Sequence, residues 1–337
     1  MGELAAILGL NGLALSDSER AFFRDADPWA FILFKRNVDT PEQVRALCSE
    51  LRDTVGRDAL IFVDQEGGRV QRLREPNWRK YPTGATYAAI HQRDPAKGRR
   101  AAWLGHRLIA DDLRKVGITA DCAPVLDLPQ PGADPIISDR AFGESVKRIV
   151  DLAHAATAGL MAGGVAPVIK HIPGHGRATV DSHLALPRIE ADTATLDATD
   201  YAPFKRLAHA PMAMTAHAVF SEVDAEVVTL SHRAIHDVIR THIGFDGLLM
   251  SDDLDMKALT GNDLAAKTTA CLDAGCDVAL QCSGQLADMV RVAKGARALA
   301  GKALERARVA ELCAGESDDF DRAAEETEFD QLLGEAG

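Results

Sequence analysis

A chain of 337 residues, 47% hydrophobic and 26% charged, has ordinary globular composition and is long enough for one large α/β barrel or for two domains. Its net charge of −12 argues against a nucleic-acid surface, which needs clustered Lys and Arg. No apolar run could span a bilayer, and Met1-Gly2-Glu3-Leu4 does not start a signal peptide, so a soluble, cytoplasmic protein without membrane partners is expected.

Apolar runs recur along the chain at residues 5–9, 30–34, 59–64, 118–123, 165–169, 211–216, 247–251 and 277–281. The first is ambiguous, since it could equally open a helix. Helical patterns separate the runs. Thr40-Pro41-Glu42-Gln43 reads as a capping box with proline at the first helical position, opening a helix whose Val44, Leu47, Cys48 and Leu51 share a face. Val146, Ile149, Val150 and Ala153 repeat that spacing, as do Ile235, Val238 and Ile239 after an N-cap at Ser231. Gly117, Gly164, Gly244 and Gly275 stand just before strands, where a left-handed cap ends a helix. Eight alternating strands predict a closed (β/α)8 barrel of TIM type over residues 1–313, with an open doubly wound sheet as the competing arrangement. Residues 314–337 form a short acidic extension with nine Asp and Glu against one Arg, expected to be a solvated helix or frayed terminus. Six cysteines without a CxxC pair fit free thiols in a reducing compartment.

Polar residues cluster just past the strand ends: Asp64 to Arg72, Asp121 and Asp127, Lys170 and His171, His217, and Asp252 with Asp253. In a barrel these ends ring one mouth, where active sites sit. The segment 170–183 carries three histidines, a lysine and an aspartate among glycines, and its polarity reads as loop rather than core. Asp181-Ser182-His183 offers a carboxylate that can fix an imidazole tautomer and leave the other nitrogen free for proton transfer. Ser251-Asp252-Asp253 is either a helix N-cap or a rigidly held carboxylate suited to nucleophilic attack, and strand parity does not choose between the aspartates. Asp64 with Arg69 and Arg72 provides a carboxylate for sugar hydroxyls and guanidinium groups for an anion or acetamide; a structural ion pair is the other reading. His171, His175, His183 and Asp181 also admit a metal-dependent barrel hydrolase. His175, between two glycines, either pins the loop to backbone groups or contacts ligand. Neither GxGxxG nor GxxxxGK[ST] follows a strand, and no GxSxG elbow is present, so no nucleotide cofactor is expected.

Lys170-His171-Ile172-Pro173-Gly174-His175-Gly176 with Asp181-Ser182-His183, Asp64-Gln65-Glu66-Gly67-Gly68-Arg69, and Ser251-Asp252-Asp253-Leu254-Asp255-Met256 resemble glycoside hydrolase family 3. They are most similar to its single-domain bacterial β-N-acetylglucosaminidases of peptidoglycan recycling (the NagZ type), over about residues 9–280. No metal or cofactor is expected, and the resemblance implies a cytoplasmic barrel that removes GlcNAc from muropeptide fragments such as GlcNAc-1,6-anhydro-MurNAc. It implies Asp252 as nucleophile, His183 as general acid/base and Asp181 as its partner. Asp64, Arg72, Arg140, Lys170 and His171 match sugar-binding positions. Departures are mild: Ile172 replaces an aromatic residue, and Ala141-Phe142 follows Arg140. A family 3 enzyme of other sugar preference, or one using phosphate in place of water, is the alternative. Oligomeric state stays open, with a monomer as the default.

Overall fold

The computed structural model describes residues 2–180, 185–259 and 263–334. All eight expected strands form: β1 (Leu4–Leu8), β2 (Pro28–Leu33), β3 (Leu60–Val63), β4 (Ala120–Asp121), β5 (Ala166–Ile172), β6 (Met212–Thr215), β7 (Leu248–Asp253) and β8 (Val278–Gln281). Each pairs in parallel with its sequence neighbours, and β8 closes on β1, giving a barrel in strict chain order. This is a (β/α)8 barrel, and the doubly wound alternative falls away. The ambiguous first run is a strand, and Ala6, Ile7 and Leu8 are fully buried.

Local signals act through hydrogen bonds. Thr40 Oγ1 accepts from the Gln43 N–H at 3.2 Å, but the Gln43 side chain turns back one residue further than expected, accepting from the Asp39 N–H at 3.0 Å. The cap holds while the reciprocal half of the box has moved. Pro41–Val55 then buries Val44, Leu47, Cys48 and Leu51 against the barrel. Ser231 Oγ accepts from the Ala234 N–H at 2.9 Å, and the following helix, Ala234–His242, winds as a π-helix. Gly164 and Gly275 take φ of +72° and +118° on entering β5 and β8, a conformation costly for other residues.

The described part of the acidic extension, to Gly334, forms the expected helix, but docked rather than merely solvated. Its helix Arg322–Gly334 lies along Pro95–Lys115, burying Phe329 completely. Basic side chains meet its charge. Arg100 forks onto Glu328 at 2.8 and 2.6 Å, and Arg79 pairs with Asp330. The Arg107 guanidinium stacks 3.8 Å from the Phe320 ring centroid and donates to Ser317 Oγ and the Asp318 carbonyl. Among the described residues no helix is long and apolar enough to cross a membrane. All six cysteines are free.

Candidate active site

The C-terminal ends of the strands surround a cavity of about 340 Å³, within the range of small-molecule sites. Asp64, Arg72, Arg140, Lys170, His171 and Asp252 all line it, although they come from four separate stretches of chain. Asp181 and His183 lie outside the described residues.

One wall is an ion cluster. Lys170 Nζ donates to Asp64 Oδ1 at 2.9 Å and stands 2.7 Å from Glu66 Oε1. Arg72 Nη2 donates to Asp64 Oδ2 at 2.8 Å. Arg140 grips both oxygens of Glu66 at 2.8 and 2.7 Å. Buried charges are tolerated only when paired in this way. Burial works against ionisation of Asp64, but Lys170 and Arg72 hold its carboxyl well below the usual range. Burial likewise opposes, and Arg140 and Lys170 outweigh it, to bring Glu66 down to about 2. Against burial, Asp64 and Glu66 raise Lys170 above the ordinary lysine range. Asp64, Glu66, Arg140 and Lys170 stay charged at neutral pH, with donors and acceptors held rigid at the cavity wall. Glu66 was not among the expected site residues. Its signal was its spacing, since residues two apart in an extended segment share a side, and Asp64 marked that side.

The histidine segment departs from expectation. Lys170, His171 and Ile172 are not loop but the last turn of β5, and Lys170 and His171 are buried. Their polarity is tolerated because every charge finds a partner. His171 Nδ1 lies 2.7 Å from Asp127 Oδ2, and Asp127 Oδ1 accepts the backbone N–H groups of His171 at 3.2 Å and His175 at 2.7 Å. The pairing register with β6 slips between Lys170 and Ile172; such a bulge re-aims side chains, so adjacent residues both reach the mouth. Asp127 is the second residue that sequence reasoning left unassigned. Arg69 pairs not with ligand space alone but with Asp139 at 3.1 Å, on an exposed rim.

A second bulge, between Met250 and Asp253 on β7, brings both candidate aspartates to the cavity, and their surroundings separate them. Asp253 Oδ1 accepts the N–H groups of Asp255 at 3.2 Å and Cys282 at 3.0 Å. Burial and the neighbouring Asp255 push its carboxyl up to about 7. Asp252 Oδ1 accepts the Asp253 N–H at 2.8 Å, and Oδ2 has no hydrogen-bond partner among the described residues. Burial opposes its ionisation, yet His217, His171, the Asp253 N–H and Lys170 hold its carboxyl below the ordinary value. Asp252 is therefore the anionic carboxylate with a free oxygen facing the cavity.

A buried chain sets its backbone. The Asp252 N–H donates to Thr215 Oγ1 at 3.3 Å, Thr215 and Thr229 hydroxyls lie 2.8 Å apart, and Thr229 Oγ1 lies 2.7 Å from His217 Nδ1. His217 Nε2 donates to the Asp253 carbonyl at 2.9 Å. That carbonyl can only accept, so the proton sits on Nε2. Among the described residues no group of three or more His, Cys, Asp and Glu is placed to hold a metal ion.

A closed parallel barrel presenting charged side chains at its C-terminal mouth has the arrangement of a barrel enzyme, and residues 3–311 match the glycosyl hydrolase family 3 N-terminal domain. The β-hexosaminidase of Alkalilimnicola ehrlichii is 40% identical over 280 residues, 82% of this chain and 80% of that one. The β-hexosaminidase of Methylococcus capsulatus is 39% identical over 277 residues, 81% of each. Neisseria gonorrhoeae NagZ, solved with N-trifluoroacetyl-D-glucosamine, superposes with a TM-score of 0.87 at 27% identity over 100% of this chain and 99% of its own. The chain belongs to glycoside hydrolase family 3 and is a glycoside hydrolase.

Proposed function

We propose that this enzyme is a retaining β-N-acetylhexosaminidase that releases terminal GlcNAc from muropeptide fragments in peptidoglycan recycling. The observation that carries the reading is Asp252, an ionised carboxylate with one uncommitted oxygen facing the same cavity as the Asp64–Lys170–Glu66–Arg140 cluster. Relatives named β-hexosaminidase and the glucosamine derivative bound by NagZ support an amino sugar as substrate. The motif resemblance supports a muropeptide aglycone, and six free cysteines suit a cytoplasmic location.

In this mechanism the cluster and His171 orient the sugar by charge-assisted hydrogen bonds. Asp252 attacks the anomeric carbon while the leaving oxygen takes a proton from His183, giving a covalent glycosyl-enzyme. His183, now neutral, deprotonates water, which displaces Asp252 and frees GlcNAc with its configuration retained. Asp181 stabilises the imidazolium form. Release of p-nitrophenol from the β-GlcNAc and β-Glc aryl glycosides tests the reading. Rapid turnover of the first alone, without phosphate dependence and abolished in Asp252→Ala, is expected. Preference for β-Glc, or a requirement for phosphate, would contradict it.

A further inference from the structure

His175 is the side chain at this mouth whose surroundings explain its position but not its chemistry. The residue is 4% exposed and lines the cavity, its ring 5.8 Å from that of His171 between centroids. Among the described residues, neither Nδ1 nor Nε2 has a hydrogen-bond partner. A buried polar atom without a partner costs about 1–3 kcal/mol, so two on one ring require an explanation.

Pinning the loop is not that explanation, because the backbone does it. The His175 N–H donates to Asp127 Oδ1 at 2.7 Å, and its carbonyl accepts from the Ala178 N–H at 3.1 Å. The Gly176 carbonyl accepts from the Gln130 N–H at 3.0 Å. A side chain at Gly176 would collide with the Leu128 carbonyl, and one at Gly174 would come within 2.9 Å of Asp200 Cβ. Arg177, next along, donates to Asp200 at 2.6 Å. The segment is thus clamped on three sides by groups other than the imidazole, and the residue that carries it lines the cavity.

We propose that His175 is a substrate-binding residue, and that a ring nitrogen hydrogen-bonds a hydroxyl of the sugar held against the ion cluster. The assignment rests on the glycosidase reading above. It deepens that reading by adding a neutral contact to the charged ones. A neutral imidazole presents one donor and one acceptor, matching hydroxyls, which do both, better than the charges already supplied by Lys170 and Arg140. Burial and the nearby His171 push His175 down to about 4, consistent with a ring that remains neutral while it binds.

The test is a double-mutant cycle between protein and substrate. Wild type, His175→Phe and His175→Asn are compared on p-nitrophenyl β-GlcNAc and its 3-, 4- and 6-deoxy analogues. Phe keeps a ring without nitrogens, and Asn restores a donor and an acceptor. The expected loss for Phe on the parent substrate is about 10- to 100-fold in kcat/KM. One deoxy analogue should lose its penalty in the Phe variant while the others keep theirs, and Asn should recover part of the rate. Thermal unfolding should be unchanged, because no protein hydrogen bond is removed. Penalties that stay the same for all three analogues in both variants, or a large fall in Tm for both variants, would overturn the assignment while leaving the glycosidase reading intact. A wild-type protein inert on the parent glycoside would end both.

Discussion

Glu66 shows how much a single side chain can carry at this site. It accepts from Arg140 twice and lies beside Lys170, and all three side chains are nearly solvent-free. Removing one member of a buried set leaves uncompensated charge, so Glu66→Gln should cost on the order of 3 kcal/mol in urea unfolding. Asp139→Asn, which releases only the exposed Arg69, should cost below about 1 kcal/mol. The pH dependence has a definite sign. Glu66 is brought from its ordinary 4.5 to about 2 in the fold, so its contribution is complete above the ordinary value and is lost as pH falls through the folded one. The gap between wild type and Glu66→Gln should therefore narrow between about pH 4.5 and 2; a gap that widens there would contradict the pairing. At this scale the sequence was informative where chemistry and a strand end coincided, as at Asp64, Lys170 and Asp252. It was silent where partnership depended on long-range contact. Nothing local joins Asp127 to His171, or His217 to Asp252 through two threonines.

Elements were legible in proportion to how local their causes are. Eight apolar runs became eight strands because a parallel barrel buries both faces of each, leaving a continuous apolar signal. The boundaries of β5 and β7 were hidden because each ends in a bulge carrying charged residues into the strand. Polarity marks a loop only when the partners are absent, and here the stretches just after β3 and β4 supply them. The C-terminal helix was hidden for a related reason. Its acidic face reads as solvated until Arg79 and Arg100, both far upstream, are seen beneath it. Phe329 is its apolar anchor, packed against Tyr87 and under the Arg79 guanidinium. Phe329→Ala should lower stability by about 3–5 kcal/mol in chemical denaturation, with kcat/KM on the aryl glycoside unchanged in the fraction that remains folded. An exposed-surface cost of a few tenths would show that the helix is not docked in solution.

The whole molecule resolves an ambiguity that neither smaller scale could. Two adjacent aspartates end one strand, and only barrel closure decides which is ionised. β8 brings the Cys282 N–H to Asp253, and β6 brings Thr215 to the Asp252 backbone. Groups from β5 and from just beyond β6 then hold Asp252 anionic, while burial and the neighbouring Asp255 push Asp253 toward neutrality against its backbone donors. These surroundings support Asp252 as the proposed nucleophile. A fluorinated GlcNAc glycoside with a good leaving group slows breakdown of a glycosyl-enzyme enough for it to be digested and mapped by mass spectrometry. A single sugar attached to the peptide at Asp252 is the predicted result; attachment at Asp253, or continued turnover with inversion and no attached sugar, would contradict it.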